Sequence, residues 1–260
     1  MAERHDDGSA GDVDYGKVGH GYSRYRQPEP RIAAFIDHYL GDAVTVLNVG
    51  AGAGSYEPSA RQVTAVEPSA SMRAQRPRHL PLAIDAVAER LPFADEYFDA
   101  AMASFTVHQW TDMNAGLREM RRVTRGPVVV MTCDPDESPN FWLGQYAPEV
   151  VAAENRRNPP IETIRAALGG ETEVVSVPIP LDCSDGFHEA YYGRPECLLD
   201  PGARRACSAW SFVPPHAIER FVARLSRDLS DGTWDAAYGH LRTQPEFLGP
   251  LKLVISRRLE

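Results

Sequence analysis

Val44-Thr45-Val46-Leu47-Asn48-Val49-Gly50-Ala51-Gly52-Ala53-Gly54 puts a β-branched apolar run directly before three glycines spaced two apart. The run lacks polar alternation, so it reads as a parallel strand buried on both faces. The glycines read as a tight turn where backbone comes close to a neighbour or a ligand. A strand, a glycine turn and a following helix are how an α/β sheet holds a nucleotide-like ligand. By itself the stretch can also be read as a plain strand-to-helix turn.

Upstream, Pro30 opens a helix with Ile32, Phe35, Ile36, Tyr39 and Leu40 at helical spacing and Gly41 as its stop. Downstream, Pro58 limits any helix to about one turn near 55–57. A second strand at 63–66 ends in Glu67, and Pro68 and Ser69 start a helix carrying Met72. A weakly marked strand is expected near 82–84, and a buried one at 98–103. Asp112 caps a helix with Met113, Leu117 and Met120 inward, and a fifth strand spans 127–132. Residues 173–180 and 251–256 read as two more strands, with helices around 141–154, 161–168, 189–192 and 215–229. Alternating strands and helices predict an α/β fold: a Rossmann-like, seven-stranded, mostly parallel sheet with helices on both faces.

The chain divides into a disordered tail at 1–14, a ligand-binding core at 15–133 and a closing segment at 250–260. Residues 134–249 hold the remaining core elements and a helical cap, mainly 181–249. The excursion between the last two strands is too long for a plain loop and is expected to lie over the C-terminal edge of the sheet. Tyr15, Tyr22 and Tyr25, with Arg24 and Arg26, precede the first helix. They read either as a flap over a ligand or as an anchor for the N-terminal segment.

Net charge is −9, from 27 basic and 36 acidic residues, which argues against nucleic acid as the main partner. Arg118, Arg121, Arg122 and Arg125 are spaced as a solvated helix face. No apolar run approaches the about 20 residues of a membrane helix, and the N-terminus has no signal-peptide core. Cys133, Cys183, Cys197 and Cys207 lack metal-ligand spacing, so no metal is expected and a cytoplasmic setting with free thiols is.

Three features fall on one edge of the predicted sheet: the glycine turn, Glu67 seventeen residues after Gly50, and the 86–93 segment. A carboxylate there can accept two hydrogen bonds from a ribose diol. The GxGxG spacing and short crossover disfavour a dinucleotide oxidoreductase.

Together with Ala88-Glu89-Arg90-Leu91-Pro92-Phe93, Phe98-Asp99 and His108-Gln109-Trp110, these residues make the chain resemble the class I S-adenosylmethionine-dependent methyltransferases, in their small-molecule, type 11-like branch. The match covers about 15–133. The resemblance implies a small-molecule acceptor methylated on O, N or C, and the aromatic-rich cap points to a bulky one such as a secondary metabolite. It leaves open a relative that binds S-adenosylmethionine without methylating, as a cyclase or a binding module. It implies that Gly50, Gly52 and Gly54 floor the cofactor site, that Glu67 binds the ribose hydroxyls and that Met72 lies against the adenine or is simply core. Tyr22 and Arg26 match a closing flap. Ala51, Pro68, Ala86, Ala88 and Ser104 complete the implied cofactor contacts. Two positions depart from the pattern. Val87 stands where an adenine-binding Asp is common, leaving that contact to Asp85 or to the Ala88 backbone. Asn48 replaces an acidic residue. His108 is the candidate base, its ordinary pKa of about 6.5 suiting the task. Trp110, Tyr191 and Tyr192 are candidates for a substrate wall, with His188 and His240 weaker.

Overall fold

In the computed structural model, which describes residues 5–8 and 22–259, β1 (Thr45–Val49) lies within a six-stranded sheet and hydrogen-bonds on both edges. Its neighbours are β2 (Gln62–Val66) and β3 (Ala100–Ser104), both parallel to it, with Val46 opposite Val63 and Ala100. β4 (Val128–Cys133) adds a further parallel strand. β5 (Glu171–Ser176) forms the far edge. A ribbon of β6 (Ile179–Pro180) and β7 (Glu246–Phe247) stands apart. β8 (Leu251–Arg257) runs antiparallel between β4 and β5, so the order is β2-β1-β3-β4-β8-β5.

Both faces of the sheet are apolar because helices cover both. Val46, Met102, Val129 and Ile255 meet Ile32 and Ile36 of the helix Pro30–Tyr39, Leu40 just after it and, beyond it, the cap aromatics. Leu47, Ala101, Val130 and Val254 meet Leu117, Met120 and Val123 of the helix Met113–Val123, and Ile164 and Leu168 of the helix Ile161–Leu168. Asp112 caps its helix by accepting from Ala115 N at 2.9 Å.

The expected strand at 82–84 shrinks to one parallel bridge between Ile84 and Val66, which leaves six strands rather than seven. Pro81 has no N–H to extend the ladder and Leu82 is 92% exposed, so nothing there rewards a longer strand. The expected single strand at 173–180 divides into β5 and β6. Pro178 and Pro180 interrupt the donors there.

Residues 134–160 and 181–249 are largely helical, and this cap lines a cavity with Phe105 and His108, which follow β3, and Cys133, which ends β4. Trp142 donates its indole N–H to Tyr192 O at 3.1 Å and meets Trp234 edge to face at 5.8 Å. Tyr192 is fully buried, its ring stacked on Phe247 and its hydroxyl donating to Gln244 O at 2.6 Å.

Residues 5–8 form a turn tied to the sheet domain, although disorder was expected across 1–14. The Asp7 carboxylate accepts from Ser69 Oγ and Ser71 Oγ, and its carbonyl from Ala70 N. The rest of that tail and residues 15–21 of the aromatic segment before Pro30 lie outside the described residues. Tyr25 acts as an anchor, its hydroxyl donating to Asp200 at 2.8 Å. Arg121, Arg122 and Arg125 are committed to neighbouring carbonyls and carboxylates rather than forming an open basic face. Among the described residues no helix is long and apolar enough to cross a membrane.

Asp99 ties the starts of β1 and β3 together. Its carboxylate accepts from Thr45 N at 2.8 Å, Thr45 Oγ1 at 2.9 Å and Val44 N at 3.0 Å, which holds its pKa down at about 2. A lowered carboxylate pKa contributes stability that is present above the unfolded value and lost as pH falls through the folded one. Asp99→Asn should therefore melt at a lower temperature than the wild type at neutral pH. The gap should narrow between about pH 4 and pH 2, as followed by circular dichroism.

Candidate active site

β1 ends in a turn that only glycine enters easily, because Gly50 and Gly52 have φ of +69° and +51°. Gly50 N and Ala51 N both donate to Val66 O at 2.9 Å, clamping the turn to the end of β2. A Cβ on Gly50 would sit 2.1 Å from Thr106 Oγ1, so the loop after β3 closes against bare backbone. Glu67, one residue beyond β2, accepts from Gly52 N at 2.7 Å and Ser69 N at 2.8 Å, one oxygen each. Burial raises its pKa, and those two N–H groups oppose the rise. Each oxygen keeps a lone pair for a further donor.

These elements wall a cleft. Of the residues expected to bind a cofactor, Arg26, Asn48, Gly50, Ala51, Gly52, Glu67, Pro68, Met72, Val87, Ala88 and Ser104 line it, as does Trp110. Others lie elsewhere. Gly54 does not line the cleft; it lets the chain pass Leu80, whose Cδ1 lies 2.3 Å from the position of its absent Cβ. Asp85 is more than half exposed and pairs with Arg73 at 3.3 Å, and Ala86 packs against the core beneath. Tyr191 and Tyr192 line neither this cleft nor the cavity beside it, because their rings build the interior of the cap. Tyr22 begins the short helix Tyr22–Tyr25, and its side chain lies outside the described residues. Phe105, Thr106 and Gln109 also line the cleft. Phe105 has φ of +54°, a strained conformation for a side-chain-bearing residue that no sequence pattern announces.

Asn48 has a partner that explains it. Its side-chain amide donates to Glu57 Oε1 at 3.1 Å. Glu57 is in turn held by Arg76 through two contacts at 3.0 and 2.9 Å, with both side chains almost fully buried. An acidic residue at 48 would face that carboxylate at close range, so the negative charge sits nine residues further along and is already neutralised.

A second cavity lies under the cap and shares Arg26 and Phe105 with the cleft. Asp185 fixes that wall: it accepts from Arg26 Nε at 2.6 Å and from the Tyr56 hydroxyl at 2.7 Å, and the Arg26 guanidinium lies 4.9 Å from the Phe105 ring centre. His108 lines this cavity and not the cleft, its Nε2 2.8 Å from the Gln109 amide nitrogen. Opposite it are Glu154, His188 and Glu189. Burial, helped by Glu154, pushes Glu189 up to about 7. Among the described residues no group of three His, Cys, Asp or Glu is placed to hold a metal ion.

A family model described as a methyltransferase domain matches residues 47–130. Demethylmenaquinone methyltransferase from Mycobacterium sp. (strain KMS) is 38% identical over 97 residues, which are 36% of this chain and 42% of that protein. The chain thus matches about two fifths of the length of that relative. A crystal structure from Anabaena variabilis, described as a methyltransferase from an antibiotic biosynthesis pathway, superposes with a TM-score of 0.81 at 26% identity. That superposition covers 90% of this chain and 99% of the other. The geranyl diphosphate C-methyltransferase of Streptomyces coelicolor A3(2) shares the fold, at a TM-score of 0.50 and 16% identity, over 98% of this chain and 91% of its own.

Replacing Asn48 by Asp removes a donor to Glu57 and adds a buried like charge. We expect a loss of about 1–3 kcal/mol, or about 2–4 °C in melting temperature per kcal/mol. Thermal unfolding of Asn48→Asp beside Asn48→Ser checks it. Asp should cost more than Ser, because only Asp brings the charge.

Proposed function

The chain belongs to the class I S-adenosylmethionine-dependent methyltransferase family, and on that premise we propose that it transfers a methyl group to an O, N or C atom of a small organic molecule seated under the cap. The observation that carries this reading is the meeting of two cavities at one wall, Arg26 and Phe105. A donor on the glycine floor and an acceptor under the cap would face each other there.

The residues of the cleft fit the cofactor. The side-chain-free turn at Gly50 and Gly52 leaves backbone against which a ligand can lie, and Met72 Cε is 3.3 Å from where a Gly52 Cβ would be. The Glu67 carboxylate is oriented by its two N–H donors with lone pairs left for ribose hydroxyls. Val87 and Ala88 give an apolar wall in place of an acidic side chain, with the Ala88 backbone at the rim. Bound S-adenosylmethionine supplies a methyl group already activated on a sulfonium. The chain's own task is then orientation and exclusion of water, worth up to about 7–11 kcal/mol in such transfers. Arg26, pinned by Asp185, and Phe105 shape the passage. His108 stands on the acceptor side, placed to contact the acceptor.

A bulky acceptor, such as a secondary metabolite, is supported by the aromatic surroundings of the cap cavity and by the likeness to the Anabaena protein. The net charge of −9 supports a small molecule over nucleic acid. The four unpaired cysteines support a cytoplasmic setting.

S-adenosylhomocysteine at 100 times its Kd should stabilise the protein by about 2.7 kcal/mol, raising Tm by roughly 5–10 °C. No shift, or a shift with NADH instead, would overturn the assignment. Because burial raises the Glu67 pKa, its ionised form is lost earlier on acidification than that of an ordinary carboxylate. Calorimetric affinity for S-adenosylhomocysteine should therefore weaken as pH falls, and Glu67→Gln should bind more weakly at neutral pH with a flatter pH profile. His108→Ala should keep that affinity while losing labelled-methyl transfer into a cell extract. Equal loss of cofactor affinity in both variants would contradict their separate roles.

A further inference from the structure

The cap cavity contains a buried polar cluster. His188 begins the turn His188–Tyr191, and its Nδ1 lies 2.8 Å from Oε2 of Glu154 in the helix Pro148–Arg157. With the side chain 2% exposed, Nε2 is buried and has no hydrogen-bond partner. The Cys207 sulfur lies beside the ring and favours its charged form, while the thiol hydrogen goes to Gly186 O at 3.3 Å. A carboxylate on Nδ1 fixes the tautomer, so that Nε2 carries the lone pair when the ring is neutral and the second N–H when it is charged. A buried polar atom without a partner, on the wall of a cavity, is explained when a ligand supplies the partner.

The charges around it select the ligand. Glu154 is committed to His188, whose positive charge lowers the carboxyl pKa against the effect of burial. For His188, burial opposes the imidazolium more than any single neighbour favours it, but the Glu154 carboxylate and the adjacent Cys207 sulfur together outweigh burial, and the net direction is upward. Glu189, pushed up to about 7 by burial and by Glu154, is only partly ionised near neutrality and accepts from the Cys133 thiol at 4.0 Å. Arg26, already paired with Asp185, completes the polar wall with His108, Arg157 and the exposed Arg205, so basic groups outnumber the two carboxyls that line the cavity. An ammonium or amine acceptor is disfavoured in such a field, and an oxygen that bears negative charge is favoured. Phe105 and Phe187, 5.2 Å apart, supply flat apolar surface beside the cluster.

Resting on the methyltransferase reading above, we propose that this cavity binds a weakly acidic hydroxyl compound, a phenol or enol, as its oxyanion, with His188 Nε2 facing the oxygen and holding the proton. A phenol meeting the neutral ring passes its hydroxyl proton to Nε2 and keeps the O–H electron pair on oxygen. A phenolate meeting the charged ring reaches the same ion pair, and the proton returns to water when the cavity empties. Glu154 is a positioning residue: it sets the tautomer and supports the charge. His108, whose Nε2 already meets Gln109, does not have this role.

The test uses 4-nitrophenol, whose anion is coloured, with protein saturated with S-adenosylhomocysteine and buffered below the phenol's own pKa. The wild type should generate the anion colour in a saturable titration. His188→Gln and Glu154→Gln should each weaken that binding at least tenfold while S-adenosylhomocysteine affinity stays within about twofold. Binding of the neutral phenol, undiminished anion binding to His188→Gln, or no binding at all overturns the proposal. Failure of S-adenosylhomocysteine to bind the wild type overturns the methyltransferase reading instead, and the nitrophenol titration without it still decides this one. Should either variant melt below the assay temperature, the ring signals of His188 in wild-type NMR spectra decide: they must move on adding 4-nitrophenol, and unmoved signals refute the proposal.

Discussion

The buried carboxylate of Asp185 is the contact on which the two-cavity arrangement depends. It takes a charged hydrogen bond from Arg26 and a neutral one from Tyr56, and so joins the N-terminal segment, the loop after β1 and the cap. The extended pairing of Arg26 with Asp185, and the bond from Gly186 N to Tyr25 O, run alongside. A buried charge is tolerated only when paired and hydrogen-bonded. The cap therefore closes where Arg26 meets Asp185, and that is also where the cleft and the second cavity share a wall. The left-handed backbone at Phe105 sits on the same wall, held by the bond from its N–H to Met131 O.

The electrostatics of the two cavities differ as their proposed occupants do. The cleft is floored by Glu67, whose oxygens are satisfied by backbone donors rather than by a cation. That leaves acceptor capacity for neutral hydroxyls. In the cap cavity the Glu154 carboxylate is spent on His188 and burial leaves Glu189 only partly ionised near neutrality, so arginine and imidazole outweigh the carboxyls. Two neighbouring chambers with distinct chemistry suit a donor and an acceptor that must meet but not exchange places.

Much of the cleft was legible because its signals are local. Gly50, Gly52, Glu67 and Met72 fall within a short stretch, and a strand-turn-strand unit brings them to one edge whatever the rest of the chain does. Asp85 was misplaced for an equally local reason: Arg73, on the preceding helix, draws it to the surface. The expected strand at 82–84 weakened to one bridge because Pro81 and the exposed Leu82 offer it neither donors nor burial. Tyr191 and Tyr192 read as a substrate wall from composition, but the cap needs its own core and uses them there.

From the amino-acid order alone came the parallel α/β core, the glycine turn and the acidic residue beyond β2, since periodicity and backbone freedom act between residues near in sequence. The tertiary structure decided the rest. It set Glu57 against Asn48, moved His108 out of the cleft, and brought Glu154, His188 and Glu189 together from separate parts of the cap. Such groupings depend on how distant segments pack and on which buried polar atoms then find partners, and no short-range pattern in the chain carries that information.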